Sequence, residues 1–145
     1  MSIYKECDIR GVYGKDLGED TAYSIGRAVG TKLTGKTIVV GGDARTSTPL
    51  LRDRLVEGLN ESGADVIDVG LIPTPLIYFA KKHLKTVGAV MVTASHNPAQ
   101  YNGFKITMGD WPVKPEELKE LENIIEKKAY ITGNGQLEKY SIEKD

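Results

Sequence analysis

The sequence predicts an α/β fold: a three-layer α/β/α domain around a mostly parallel, mixed sheet. Compact β-branched runs alternate with segments whose apolar residues recur every three to four positions. Each run ends in a turn rich in Gly, Ser or Thr, and two of those turns lead into a Thr-Pro helix start. Right-handed crossovers between such units give neighbouring parallel strands.

The elements follow in order. Ile9 to Tyr13 is a short first strand. A helix starts near Glu19, with Ala22, Ile25, Val29 and Leu33 at helical spacing; Gly26 and Gly30 either weaken it or permit close packing. Thr37 to Val40 is a β-branched strand running into the turn Gly41 to Ser47. Thr48 then stands as N-cap and Pro49 as first helical residue, Leu51, Leu55 and Leu59 face inward, and Gly63 ends the helix.

A second round has Asp65 to Val69 as strand, Gly70 to Pro73 as turn, Thr74-Pro75 as cap, and Leu76 to Leu84 as helix. Val87 to Val92 begins a third round of the same grammar. Gly103 to Met108 is a fifth strand, open to antiparallel pairing. Pro115 starts a helix with Glu116 and Glu117 in its first turn and Lys127 and Lys128 at its end, charges that suit the helix dipole; Leu118, Leu121 and Ile125 point inward. From Tyr130 the chain turns polar. Residues 1 to 138 are expected to form the domain and 139 to 145 to begin a linker to further protein.

Composition excludes several functions. The 145 residues suit one domain, which buries roughly 68–70% of its unfolded surface. Nineteen basic against twenty acidic side chains give a net charge of −1, so no overall field attracts nucleic acid, and any anion has to be captured locally. A single cysteine, Cys7, rules out an internal disulfide, and two distant histidines argue against a zinc cage. The charged N-terminus does not read as a signal peptide, and no segment approaches the run of about 18 apolar residues of a membrane span. A cytoplasmic protein is expected, with no nucleic acid and no membrane as partner.

The chemistry concentrates at Thr93-Ala94-Ser95-His96-Asn97-Pro98, which follows a buried-looking strand and so hangs a serine where open α/β sheets bind ligands. Tyr101-Asn102-Gly103-Phe104-Lys105 then brings a lysine towards the same spot. Three readings compete. A hydrolase needs a base for Ser95, yet the other histidine, His83, lies at a helix end, and no Gly-x-Ser-x-Gly elbow is present. As plain turn formers, Ser95 and Asn97 simply precede Pro98. As a phosphoryl carrier, Ser95 holds a group cradled by backbone amides, His96, Asn97 and Lys105.

Thr93 to Lys105 resembles the active-site serine loop of the α-D-phosphohexomutases, the phosphoglucomutase/phosphomannomutase family. Asp8-Ile9-Arg10-Gly11, Gly42-Asp43-Ala44-Arg45-Thr46-Ser47 and Gly70 to Pro75 resemble three further family motifs, so the likeness covers residues 1 to about 140 and corresponds to the first of four domains. It implies the α/β/α fold of domain I. It also implies an isomerase-type phosphotransferase that moves a phosphate between C1 and C6 of a hexose through a hexose 1,6-bisphosphate, with mannose or glucose 1-/6-phosphate as substrate. Ser95 is then the phosphorylated residue. Arg10 and Lys105 flank its phosphate and contact substrate, with Lys105 open to a part in proton transfer. His96 and Asn97 position the loop and the phosphate, with a proton-transfer role for His96 as the alternative. Asp43 and Arg45 pair structurally, or Arg45 anchors the serine loop.

The resemblance further implies Mg2+, bound by an oxygen of the Ser95 phosphate and by three aspartates of an Asp-Gly-Asp-x-Asp-Arg loop that this sequence lacks. The chain alone is therefore expected to bind Mg2+ weakly and to be inactive without domains II to IV. Cys7 replaces the family's usual tyrosine, reading as a small buried residue, and Gly42 stands where an arginine usually precedes the aspartate. A phosphate-binding module without transfer and a phosphoglucosamine mutase domain remain as alternatives.

Overall fold

A computed structural model describes residues 3–5 and 8–141. Cys7 and Ile142 lie outside those residues, so the expectation for Cys7 has no structural counterpart. The strands are β1 (Ile9–Val12), β2 (Thr37–Gly42), β3 (Asp65–Leu71), β4 (Gly88–Val92), β5 (Tyr101–Met108), β6 (Trp111–Pro112) and β7 (Leu137–Lys139). The helices are α1 (Glu19–Lys32), α2 (Thr48–Glu61), α3 (Thr74–His83) and α4 (Pro115–Lys127). Among the described residues no helix is long and apolar enough to cross a membrane.

The seven-stranded sheet runs β1-β5-β4-β2-β3-β7, with β6 hydrogen-bonded to β5. Strands β4, β2, β3 and β7 are parallel, and β5 is antiparallel to both β4 and β1. The expected mixed three-layer architecture is therefore observed. Alternation along the strands feeds two cores. Ile38, Val40, Val90, Val92, Phe104 and Ile106 pack with Ala22, Ile25 and Val29 of α1, Leu51, Leu55 and Leu59 of α2, and Leu118 and Leu121 of α4. On the opposite face Val39, Val69, Ala89 and Met91 meet Ile77 and Ala80 of α3. Ile125 is only half-buried against the larger core.

Gly26 and Gly30 serve close packing. A Cβ at Gly26 would lie 2.3 Å from the Leu55 carbonyl oxygen, and one at Gly58 would lie 2.3 Å from that of Tyr23, so α1 and α2 cross backbone to backbone. Arg27 ties the later chain to this crossing through Ser62 Oγ at 2.7 Å and the Tyr130 ring at 4.8 Å.

Three expectations need correction. Thr48 is the first residue of α2 and Ser47 its cap position, because the Thr48 hydroxyl is engaged elsewhere: it donates to Asp43 Oδ1 and accepts from Asn102 Nδ2. In α3, likewise, Thr74 is the first helical residue and Pro73 the cap position. No helix follows β4; the third round ends in the serine loop and returns as β5. Finally, the charged segment after Gln136 is partly ordered, since β7 pairs with β3 through Val66, Ile67 and Asp68, and the Tyr140 amide donates to the Asp68 carbonyl at 2.9 Å.

Candidate active site

The order β4-β2-β3 places the carboxyl ends of three parallel strands side by side. The chain leaves β2 for a helix on one face of the sheet and leaves β3 for a helix on the other, so a crevice opens where the two connections diverge. The loops after β2 and β4 meet there, joined by the Asp43 amide donating to the Val92 carbonyl at 3.2 Å.

Ser95 is exposed at this edge with φ 55°, a left-handed conformation that L-residues adopt at a cost. It lines a cleft of about 670 Å3 together with His96, Lys105, Asp43, Thr93, the Ile72 to Pro75 turn and Tyr78. Lys105 arrives by register: on β5 it pairs with Met91 of β4, and the Thr93 amide takes the Gly103 carbonyl at 2.9 Å. The two residues singled out by sequence thus share one cavity.

The loop is held from below by Asp43 and Arg45. Asp43 Oδ1 accepts from the Arg45 amide at 3.1 Å and the Thr48 hydroxyl at 2.9 Å. Its Oδ2 accepts from Arg45 Nε at 3.1 Å and the Thr93 hydroxyl at 2.6 Å. Burial raises the proton affinity of this carboxyl, but the donors of Thr93, Arg45 and Thr48 outweigh it, and the pKa lies below its ordinary value. Arg45, its Nε fixed, donates through Nη1 to the carbonyls of Pro98 and Tyr101 and through Nη2 to those of Ser95 and Asn97. Both structural roles expected of Asp43 and Arg45 are present. Buried Asn102 completes the frame, donating to Ser47 Oγ at 2.8 Å and Thr48 Oγ1 at 3.0 Å.

A family model described as phosphoglucomutase/phosphomannomutase, alpha/beta/alpha domain I, matches residues 1–132. The chain belongs to the phosphoglucomutase/phosphomannomutase family. It is 42% identical over 144 residues to a phosphomannomutase/phosphoglucomutase of Pseudomonas aeruginosa, covering 97% of this chain and 31% of that protein. It is 44% identical over 128 residues to a phosphomannomutase of Escherichia coli, covering 87% and 28% of the two chains. A crystal structure of a phosphoglucomutase/phosphomannomutase family protein from Burkholderia thailandensis superposes with a TM-score of 0.92 at 38% identity, over 98% of this chain and 33% of that one. The chain spans about a third of the length of the relatives it matches.

Within this family domain the expected site residues divide between two recesses. Ser95, His96 and Lys105 line the cleft already described, whereas Arg10 and Asn97 line a neighbouring groove with Lys5 and Lys15. Arg10 donates through Nε to Asp8 Oδ1 at 3.1 Å. Asn97 Nδ2 donates to the Ala94 carbonyl at 3.0 Å, closing the loop on itself. The amides expected to cradle a phosphate are partly committed, since Ser95 N donates to Thr93 Oγ1 at 3.0 Å and Asn97 N to the Ala94 carbonyl at 3.1 Å.

Magnesium does not find a cage in these residues. Among the described residues no three His, Cys, Asp or Glu side chains gather to hold a metal. Asp43, the carboxylate lining the Ser95 cleft, has both oxygens occupied by hydrogen bonds. At Gly42, where the family motif has arginine, a Cβ would meet Thr48 Cγ2 at 2.4 Å, so this chain is built around the missing side chain. Sequence reading missed Thr93 and Tyr78 as lining residues. Thr93 was visible in the motif and Tyr78 one turn beyond Thr74-Pro75, but neither signal names a partner across the fold.

Proposed function

We propose that this chain is the phosphoserine-bearing domain of a phosphohexomutase interconverting hexose 1-phosphate and hexose 6-phosphate, with glucose or mannose as the sugar. The carrying observation is that Ser95, exposed and held at φ 55°, shares one cleft with Lys105 and His96. In the first half-reaction the Ser95 Oγ–P bond breaks as a hydroxyl oxygen of the bound hexose phosphate bonds to phosphorus, giving a hexose 1,6-bisphosphate and the free serine. The hydroxyl proton passes to a base beside it, a role for Lys105 in its neutral form, or for His96. In the second half-reaction the other phosphate moves to Ser95 and the proton returns, leaving the isomeric monophosphate.

Lys105 also stabilises charge spread over the transferring oxygens, and Arg10 reaches the same phosphate from the adjoining groove. Magnesium, when bound, neutralises phosphate charge; in this chain it contacts the Ser95 phosphate, its remaining ligands coming from further domains. Those domains, II to IV in the family scheme, also grip the sugar, so the chain alone has no turnover. In this reading residues 1 to 138 form the domain, the connection starts at 139, and the enzyme is cytoplasmic.

Intact-mass analysis after incubation with glucose 1,6-bisphosphate and Mg2+ tests this, alone and with the missing domains of a relative added. One added phosphoryl group, absent in Ser95→Ala, is expected. An unmodified chain under both conditions overturns the reading.

A further inference from the structure

The serine loop forms a ridge between two recesses. His96 belongs to the cleft of Ser95 and Lys105, while Asn97 belongs to a groove of about 480 Å3 lined also by Lys5, Arg10, Gly11, Lys15 and Asp16. Three cations face one carboxylate in that groove, although the whole chain carries a net charge of −1. Concave walls focus such a field.

The acidic neighbours are already committed. Asp16 Oδ2 accepts from the Val12 amide at 2.8 Å, which fixes the turn after β1, and Asp8 Oδ1 accepts from Arg10 Nε alone of the guanidinium nitrogens. The other face of the Arg10 fork remains available, and a planar fork of N–H groups matches oxyanion geometry. Gly11 leaves backbone bare in the wall: a Cβ there would meet Asp16 Cβ at 2.7 Å and Ile3 Cγ2 at 3.1 Å. Register sets the relation to the other recess. Arg10 pairs with Gly103, so it rises on the same sheet face as Lys105, two positions along β5 and about 7 Å away.

We infer that this groove is a second oxyanion site, taking a phosphate group on Lys5, Arg10 and Lys15 beside the cleft of Ser95. The phosphate is either free inorganic phosphate or the far phosphate of a hexose bisphosphate whose near phosphate faces Ser95 across the ridge. The second source rests on the phosphoserine reading; the first does not.

Amide NMR titration of the full chain with inorganic phosphate, then with glucose 1,6-bisphosphate, at low ionic strength tests the site. Saturable shifts are expected at Gly11, Val12, Lys15 and Asn97. Lys15→Ala should weaken the affinity about two- to fivefold. Lys5→Ala/Lys15→Ala should abolish these shifts while the rest of the spectrum is retained, and Lys5→Arg/Lys15→Arg should restore them. Shifts with the bisphosphate but not with inorganic phosphate identify the far phosphate as the occupant. No saturable shift in the groove with either ligand, or unchanged affinity in the double alanine variant, overturns the second site. Shifts confined to Thr74, His96 and Lys105 also overturn it, while leaving the phosphoserine reading intact.

Discussion

Arg45 Nη2 lies 2.8 Å from the carbonyl oxygen of Ser95, tying the loop after β2 to the loop after β4. The same side chain serves the carbonyls of Asn97, Pro98 and Tyr101, and Asp43 pins its Nε. One guanidinium thereby supplies donors that a tight loop cannot supply to its own carbonyls. The position of the Ser95 hydroxyl is a consequence of a residue fifty positions earlier.

Arg45→Ala should therefore destabilise the chain by about 2–4 kcal/mol, because charge-assisted hydrogen bonds are lost and partly buried carbonyls go unpaired. Arg45→Lys should recover only a part, since a point charge cannot serve four carbonyls as the planar fork does. Urea denaturation gives the stability, and amide exchange across 95 to 101 reports the loop. Unchanged exchange there in Arg45→Ala would contradict the anchoring role.

Acid should attack the same frame. The folded pKa of Asp43 lies below its ordinary value of 3.8, so the folded state binds fewer protons than the unfolded one in this range. The carboxylate's contribution is then fully present above the unfolded pKa and disappears as pH falls through the folded one. Urea midpoints measured from pH 6 down to pH 2 should fall more steeply in the native chain than in Asp43→Asn. At neutral pH Asp43→Asn should already be the less stable of the two, having lost the ion pair with Arg45. Parallel pH profiles would refute this.

How far the sequence disclosed this arrangement depends on the range of the interaction concerned. Leu51, Leu55 and Leu59 carry a helical period and are buried as that period requires. Ser95 and Lys105 sit on neighbouring strands of a predictable hairpin, so their meeting was legible. The cap at Thr48 was misplaced because Asp43 and Asn102, distant or on another element, claim its hydroxyl. Strand β7 was illegible for another reason: Leu137, Glu138 and Lys139 are all exposed and lack the alternation of a half-buried strand, being held by the β3 ladder alone. Arg10 was placed beside Ser95 by motif, but which recess it enters is set by its pairing with Gly103.

The crossing of α1 and α2 should tolerate no methyl group. In an exposed helix Gly→Ala gains about 1 kcal/mol. At Gly26 and Gly58 the added Cβ would lie 2.3 Å from a backbone oxygen of the partner helix, and backbone cannot swing aside. Gly26→Ala and Gly58→Ala should each cost about 3 kcal/mol or more in urea denaturation. Gly18→Ala, where a Cβ meets nothing within 4 Å, should by comparison be mild.

Ser95 offers the opposite sign. Its φ of 55° costs an L-residue about 1–2 kcal/mol that glycine does not incur, and glycine returns part of that difference through the larger entropy of its unfolded chain. Ser95→Gly should thus be more stable than Ser95→Ala by about 1 kcal/mol, although both lose the hydroxyl. The comparison isolates backbone strain, since neither variant can carry a phosphate or donate from Oγ. Equal urea midpoints for the two would mean that the loop relaxes out of the left-handed region. A stability gain in Ser95→Gly instead means that Arg45 and Thr93 hold the serine in a conformation which its own backbone disfavours, the strain serving exposure of the hydroxyl to the cleft.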